Sequence, residues 1–298
     1  MPYVLKTLPS DVHEIIVVDG HSVDDTLAVV RELKPEARIV MQTRRGKGNA
    51  LACGCMAATG DIIALVDADG SIDAAELPGF VSALLAGADY AKGTRFAKGG
   101  GSADITRLRR LGNRGLTGIV NLLYGVKYTD LCYGFNVFWR KHLSAIGFDD
   151  SIVRPADSRC QYWGDGFEIE TLINIRIAAA NLAVVEIPSF EHARIHGVSN
   201  LSAVSDGLRV LRTILHERFG ASRQGRNSPA PRRPRAAAPD KPLAVPRPRP
   251  APDSNGHGTG QPIPAPRSAH TGAHSASPQK ATSAGHADSV EASLKRAI

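Results

Sequence analysis

Cysteine and long apolar runs are scarce in this sequence, and each scarcity excludes a class of protein. The 298 residues include four cysteines, and Cys53 and Cys55 stand two positions apart, so neither a disulfide-rich scaffold nor the CxxC pairs of a structural zinc site are indicated. No run reaches the roughly 18 apolar residues of a membrane span, and the first residues lack the apolar core of a secretory signal. We expect a cytoplasmic protein with reduced thiols, at most peripheral to a membrane.

Large apolar residues nearly disappear after residue 220, where 13 of the 19 prolines lie. Such a composition cannot bury enough apolar surface to offset the entropy of the chain, so it predicts disorder. Charge follows the same boundary, with 24 basic and 25 acidic residues up to residue 220 and 12 and 4 after it. We therefore predict a folded domain over residues 1–220 and a disordered Pro/Ala/Arg-rich tail over residues 221–298.

Short apolar runs alternate with helical patterns along the first hundred residues. The runs are EIIVVDG, ARIVMQT, DIIALVDAD and DYAKGTRF. Apolar strands separated by helices predict an α/β fold with a mostly parallel sheet and helices on both faces. Ligands of such sheets gather at the carboxyl ends of the strands, where Asp19, Asp67, Asp69 and Arg95 fall.

Asp67 and Asp69 end the third apolar run, and three chemistries use such a pair. Past the end of a strand both carboxylates can turn toward one divalent cation that holds a diphosphate. The stretch DADGS also imitates the haloacid-dehalogenase phosphatases, in which Asp67 would be the nucleophile. A nucleotidyltransferase is a third possibility, although its Gly-rich basic loop is missing, and a plain turn is the structural alternative.

A basic and then apolar stretch, RLRRLGNRGLTGIVNLLYG, follows three glycines near residue 100. Its arginines, among them Arg109 and Arg110, precede an apolar helical face. This pattern fits a helix at a membrane surface or a grip on an anionic substrate, and equally a helix packed on the sheet with its arginines in water.

Five motifs taken in order carry a resemblance to a known family. They are VVDGHSVDDT, RRGKGNAL, ATGDIIALVDADGS, AKGTRF and TDLCYGFNVF. This series resembles the family 2 inverting glycosyltransferases of the GT-A fold, and within them the branch of dolichyl- and polyprenyl-phosphate mannose or glucose synthases. The resemblance covers residues 1 to about 218 and implies a catalytic domain there.

The resemblance implies roles on the donor side of the site. Asp19 would contact the nucleotide base, and Gly46, Lys47 and Gly48 would form the loop against the nucleotide. Asp67 and Asp69 would bind Mg or Mn on the diphosphate of a nucleoside-diphosphate sugar. Arg194 and Ser199, with His196 ranked below them, resemble a late loop that closes on the diphosphate.

On the acceptor side, Arg95, Arg109 or Arg110, and Asn113 fall where relatives hold a lipid-linked phosphate. A phosphate monoester is already a nucleophile, so it needs positioning more than deprotonation. Asp165 and Glu168 in WGDGFEIE would be general bases if the acceptor were a sugar hydroxyl, or simply a helix start.

One departure from the family concerns the beginning of the chain. Relatives open with an apolar strand that ends in a Pro-x-x-Asn-Glu element, whereas this sequence opens with MPYVLKTLP. The expectation is a start codon assigned too late or a degraded copy. The sequence thus predicts a metal-dependent hexose transferase acting on a lipid-linked phosphate, with a phosphatase or a truncated non-catalytic nucleotide-sugar-binding protein as alternatives and no nucleic-acid partner.

Overall fold

A computed structural model describes residues 2–149, 153, 164–195 and 203–219. The tail over 221–298 and the predicted positions His196 and Ser199 lie outside these residues. The described helices are α1 Pro2–Thr7, α2 Thr26–Leu33, α3 Lys47–Ala57, α4 Leu77–Leu85, α5 Arg107–Tyr124, α6 Leu143–Ile146, α7 Ile169–Ala179 and α8 Ala203–Phe219. The strands are β1 Ile16–Asp19, β2 Arg38–Met41, β3 Ile62–Leu65, β4 Tyr90–Thr94, β5 Gly101–Ser102, β6 Asn136–Trp139, β7 Val184–Pro188 and β8 Phe190–Glu191.

The strands form three sheets in the described part of the chain. The largest has the order β3-β6-β4-β7, with β4 and β7 parallel and β6 antiparallel to both β3 and β4. Strands β1 and β2 form a separate parallel pair, and so do the short β5 and β8. Three of the four strands in the largest sheet therefore share one direction, and only β6 runs against them.

Helices cover both faces of the largest sheet because adjacent strand residues point to opposite sides. Ile62 packs with Phe80 of α4 on one face. Its neighbour Ile63 packs on the other face with Ile173 of α7 and Ala52 of α3. The prediction of a sheet buried between two helical layers is thus correct for β3.

Helix α5 packs against α7 and α8 through a third apolar cluster. Val120 of α5, Ile175 of α7 and Ile214 of α8 are fully or almost fully buried in it. This cluster fixes the basic start of α5 beside the carboxyl end of β3. Among the described residues, no helix combines the length and the hydropathy that a membrane crossing needs.

Three cysteines, Cys53, Cys55 and Cys132, are free thiols. Burial raises the pKa of Cys55 and of Cys132 to about 12, so both remain protonated and unreactive near neutral pH.

Candidate active site

A cavity of about 370 Å³ opens beside the residues that follow β3 and β4. It gathers side chains from distant parts of the sequence, including most of the predicted site. The predicted residues that line it are Lys47, Asp67, Asp69, Arg95, Arg109, Asn113, Glu168 and Arg194. Predicted residues that are described but do not line it are Asp19, Gly46, Gly48, Arg110 and Asp165.

The turn after β3 aims both acids into this cavity. The Ser71 amide donates to Asp69 Oδ1 at 2.9 Å, and Gly70 takes the left-handed conformation, φ +83°, that lets the chain reverse. Two backbone bonds tie the later segment to the turn, from the His192 amide to the Ser71 carbonyl and from the Ile195 amide to the Asp69 carbonyl. These bonds place Arg194 with its Nε 3.5 Å from Asp69 Oδ2.

Lys47, the first residue of α3, lies between two carboxylates. Its Nζ is 2.7 Å from Asp67 Oδ2 and 2.6 Å from Glu170 Oε1. Burial lowers the pKa of the ammonium, but the two carboxylates raise it more, so the pKa of Lys47 lies above its usual value. The lysine is therefore a permanent cation next to the first of the two acids.

Arg95 and Asn113 belong to a buried polar network at the floor of the cavity. Arg95 donates from Nε and Nη2 to Asp130, at 2.7 and 2.9 Å, and from Nη1 to Glu191 at 3.0 Å. Asn113 donates to the same Asp130 at 2.8 Å. Ser102 donates to Glu191. Arg95 and Asn113 are two of the residues predicted to contact the acceptor substrate, and both line the cavity. Their polar groups, however, donate hydrogen bonds to buried carboxylates of the protein itself.

The two candidate bases, Asp165 and Glu168, have different surroundings. Asp165 is buried and receives two hydrogen bonds from Arg44, at 2.7 and 2.8 Å. Glu168 lines the cavity, and its Oε1 accepts from the amides of Gly164 and Gly166. Its buried Oε2 accepts no hydrogen bond within the part of the chain that the structure describes, and it lies 4.0 Å from Arg209 Nη1. Of the pair, Glu168 is the carboxylate that can meet a ligand.

Asp104 links two of the four arginines that line the cavity. Its Oδ2 accepts from Arg109 Nη1 at 3.5 Å and lies 3.6 Å from Arg194 Nε. Arg110, the alternative to Arg109, is exposed and stacks over the Phe96 ring instead. The helix orientation therefore selects Arg109 for the cavity.

The residues predicted to hold the nucleotide occupy structural positions around α3. Asp19 ends β1 and accepts from the Ser22 amide at 2.9 Å, and hydrogen bonding to Ser22 lowers the pKa of Asp19. A Cβ on Gly48 would stand 1.7 Å from the Gly164 carbonyl oxygen, so glycine is required there for packing. Gly46 precedes α3 with φ +117°. Their contacts with a nucleotide stay predictions.

Several partners of the site were not predicted. Glu170 follows Glu168 by two residues in EIE, and Asp130 is the second residue of TDLCYGF, a motif used only for the resemblance. Arg44, Asp104 and Glu191 were not predicted, because each has a partner far away in the sequence: Asp165, Arg194 and Arg95 respectively. Only the tertiary fold pairs such charges.

Comparisons with known proteins agree with this geometry. The model of Glycosyl transferase family 2 matches residues 4–147. Over these residues the chain matches a family 2 glycosyltransferase domain.

Similar proteins extend this assignment. An uncharacterized glycosyltransferase of Mycobacterium tuberculosis is 42% identical over 95 residues, which cover 32% of this chain and 42% of the relative. A dolichyl-phosphate hexose transferase of Haloferax volcanii is 26% identical over 202 residues, covering 68% of this chain and 79% of that protein. The match thus spans less than half the length of the mycobacterial relative.

A solved structure shows the fold. Glucosyl-3-phosphoglycerate synthase from M. tuberculosis, in complex with Mn²⁺, UDP-glucose and phosphoglyceric acid, matches with a TM-score of 0.55 and 22% identity over 74% of each chain. The prediction of a GT-A α/β fold is confirmed. The family assignment also favours a transferase over the phosphatase that DADGS imitates.

The acid pair of this family 2 domain fits a hard divalent cation. Asp67 and Asp69 keep 32% and 25% of their side chains exposed, both inside the cavity. Within the described residues, no group of three or more His, Cys, Asp and Glu side chains is arranged to hold a metal alone. Magnesium is commonly held by one or two carboxylates together with substrate phosphates, so two acids are a sufficient protein contribution.

Proposed function

We propose that the chain is a metal-assisted inverting glycosyltransferase that moves a hexose from a nucleoside-diphosphate sugar to a polyprenyl-phosphate-type acceptor. The observation that carries the proposal is the composition of the cavity, which combines the acid pair, four arginines and an apolar wall. The similarity to a dolichyl-phosphate hexose transferase supports the acceptor class.

The apolar wall of the cavity supports a lipid-linked phosphate over a small polar acceptor. Beside Arg109 the cavity is lined by Ile105, Leu108, Leu116 and Val210, contributed by α5, α8 and the segment before α5. A hydrocarbon chain gains free energy by burial on such side chains, whereas a phosphorylated acid gains none. An acceptor with an anionic head and an apolar tail uses both features.

The transfer needs positioning and charge compensation from this chain. An acceptor phosphate oxygen bonds to the anomeric carbon while the bond from that carbon to the donor diphosphate breaks, and the diphosphate leaves with the electron pair and inversion of configuration. Arg109 orients the acceptor, and Lys47 and Arg194 offset charge on the leaving diphosphate. Asp67 and Asp69 would hold Mg²⁺ or Mn²⁺, which supplies further charge stabilisation to that diphosphate.

A second candidate acceptor, a sugar hydroxyl, is favoured by one observation. Glu168 lines the cavity, and among the described residues its buried Oε2 accepts no hydrogen bond. A hydroxyl must lose its proton as it attacks, and such a carboxylate could take it. In that reaction Glu168→Gln abolishes transfer, whereas transfer to a phosphate keeps its rate in this variant.

The test is an acceptor panel with the purified full chain and Mn²⁺. Labelled GDP- and UDP-sugars are offered with a short-chain polyprenyl phosphate in detergent, with phosphoglyceric acid, or with free hexose. We expect labelled lipid, and transfer to another acceptor alone would overturn the acceptor assignment. Nucleotide binding without any transfer would favour the non-catalytic alternative.

Arg109→Gln measures the proposed acceptor contact. Hydrogen bonds to charged groups contribute about 1.5–3 kcal/mol, so the KM for polyprenyl phosphate should rise about tenfold or more. The KM for the sugar nucleotide should stay unchanged. The matched control is Arg31→Gln on α2, which removes an exposed arginine that does not line the cavity. An unchanged acceptor KM in Arg109→Gln would count against the assignment.

A peripheral contact with anionic lipid follows from the outer face of α5. Leu108, Leu111 and Leu122 are 62%, 69% and 84% exposed there, and the exposed Arg107 and Arg114 flank them. Apolar side chains beside arginines suit a bilayer with anionic head groups, and Leu108 continues into the cavity. Co-sedimentation with phosphatidylglycerol vesicles, weakened by Leu111→Asp and lost with phosphatidylcholine alone, tests this contact; equal binding to both lipids contradicts it.

A further inference from the structure

Lys47, which contacts both Asp67 and Glu170, would compete with a divalent cation for Asp67. Lys47 Nζ lies 2.7 Å from Asp67 Oδ2, the carboxylate that the proposed function assigns to the metal. A divalent cation on Asp67 would stand next to a permanent ammonium, and like charges at this distance repel strongly in a partly buried site. Binding of the cation to Asp67 therefore requires another carboxylate that can pair with the Lys47 ammonium.

Glu170 offers that place without a large movement. Its Oε1 is 2.6 Å from the same Nζ, its side chain is buried, and it lies in the first turn of α7, a helix packed in the core. The nearby acids Asp165, Asp130 and Glu191 are held by Arg44 and Arg95. Glu170, by contrast, forms its ion pair with Lys47.

The backbone keeps room for the three groups. A Cβ on Gly134 would lie 3.2 Å from Lys47 Nζ, 3.3 Å from Asp67 Oδ2 and 3.5 Å from Glu170 Oε1. Gly134 lies two residues before β6. Because glycine has no side chain, the backbone can pass beside Lys47, Asp67 and Glu170 without placing an atom between them. The ammonium can then shift from one carboxylate to the other within a preformed space.

We propose that Glu170 is a positioning residue that retains Lys47 when a divalent cation takes Asp67, so that cation loading exchanges one ion pair for another. The inference rests on the proposed function, because that function assigns the cation to Asp67. In the absence of the cation Lys47 neutralises Asp67. In its presence Lys47 remains paired with Glu170 and faces the diphosphate.

The test is a double-mutant cycle on Mn²⁺ affinity, measured by calorimetry on the full chain without sugar nucleotide or acceptor. Its variants are Lys47→Met, Glu170→Gln and the combination of both. Lys47→Met removes the competitor, so Mn²⁺ should bind about tenfold more tightly, as expected for a nearby unit charge in a partly buried site. Glu170→Gln strands the lysine on Asp67, and Mn²⁺ affinity should fall about tenfold for the same reason.

The decisive comparison is the effect of Glu170→Gln with and without Lys47. If Glu170 acts through the lysine, its loss weakens Mn²⁺ binding by less than about threefold in the Lys47→Met background. An equal loss in both backgrounds would show a plain charge effect, and a larger loss in Lys47→Met would make Glu170 a metal ligand; either result overturns the exchange.

Controls separate this inference from the proposed function. Asp67→Asn should abolish Mn²⁺ binding, and Lys127→Met, an exposed lysine outside the cavity, should leave the affinity unchanged. Circular dichroism verifies the fold of each variant. Absence of Mn²⁺ binding to the unsubstituted chain, even after a nucleoside diphosphate is added, would overturn both the metal-assisted function and the exchange, whereas binding without the expected coupling would overturn the exchange alone.

Discussion

Arg95 gives its described hydrogen bonds to two buried carboxylates, Asp130 and Glu191. Burial alone would raise the pKa of Asp130, but the hydrogen bonds and the charge of Arg95 lower it by more. The pKa of Asp130 is therefore below its usual value, and the carboxylate stays ionised. Removing one partner of a buried pair leaves an uncompensated charge, which costs about 3–5 kcal/mol. Asp130→Asn should therefore lower the free energy of unfolding at pH 7 by that amount, measured by urea titration, while the exposed Asp61→Asn changes it little.

The pH dependence of that difference follows from the lowered pKa of Asp130. A group whose pKa is lowered in the folded state stabilises it above the unfolded pKa, about 3.9 for aspartate. This stabilisation is lost as the pH falls through the folded pKa. The gap between the unsubstituted chain and Asp130→Asn should thus narrow below about pH 4. A gap independent of pH would contradict the ion pair as its source.

Lys92 is a second buried charge, and its environment is less favourable. Its side chain is fully buried in β4, where one hydrogen bond, from Nζ to the Gly93 carbonyl at 3.3 Å, is found among the described residues. Burial lowers the pKa of Lys92 despite the attraction of Asp130 and Glu186. Replacing this buried charge by an apolar chain of similar size removes a desolvation penalty of several kcal/mol, at the loss of the attraction to the two acids.

Lys92→Met should therefore raise the free energy of unfolding at pH 7 by at least about 1 kcal/mol. A lysine with a lowered folded pKa binds its proton more weakly in the folded state, so the unsubstituted chain gains stability as the pH rises toward about 10.4, the unfolded value. The advantage of the variant should shrink over that range. Denaturant titrations at pH 7 and pH 9.5 measure it, and a destabilised variant at pH 7 would disprove the prediction.

At the scale of elements, the position of helix α3 depends on a close contact between Gly48 and the backbone of Gly164 and Asp165. The Gly48 amide donates to the Asp165 carbonyl at 2.8 Å, and a Cβ at residue 48 would collide with the Gly164 carbonyl oxygen. Gly48→Ala must displace either segment, and overpacking of this kind costs about 1–3 kcal/mol. Because Lys47 immediately precedes Gly48 and contacts Asp67, the affinity for Mn²⁺ should change as well.

Gly79→Ala on α4 is the matched control for Gly48→Ala. Apart from its chain neighbours and the backbone of its own helix, no described atom lies within 4 Å of a Cβ placed at Gly79, and its conformation is helical. Alanine is favoured over glycine inside a helix by about 0.5–1 kcal/mol, so this variant should gain stability. Thermal unfolding of both variants gives the comparison, and equal effects would mean that packing at Gly48 is not limiting.

The sequence predicts those elements whose apolar pattern is local. The runs around Ile16, Ile39, Ile63 and Ala91 become β1, β2, β3 and β4, because continuous apolar residues need burial on both faces. The reversed direction of β6 and the split of the sheet were not predicted, since pairing depends on contacts between distant residues. The same reason explains the site: the acids after β3 are local signals, whereas Glu170 and Asp130 matter only through partners far along the chain.

At the scale of the molecule, β1 and β3 belong to different sheets although α3 covers both. Gly54 of α3 approaches Val18 of β1, and Ala52 packs with Ile63 of β3. Strand edges without a partner expose backbone groups that favour pairing with another strand. Within the described residues, β1 and β3 each lie at an edge of their own sheet.

The boundary of the folded domain is the last prediction, and α8 decides it. Val210 and Ile214 of this helix are buried against α5 and α7, so a chain that ends after residue 202 would expose Val120 and Ile175. A chain that ends after residue 220 keeps these contacts and loses the segment with 12 basic and 4 acidic residues. We expect the longer truncated chain to retain the unfolding midpoint and transfer activity of the full chain, and the shorter one to lose its cooperative transition. If the chain that ends after residue 220 also loses that transition, the tail is part of the folded domain and the division at residue 220 is wrong.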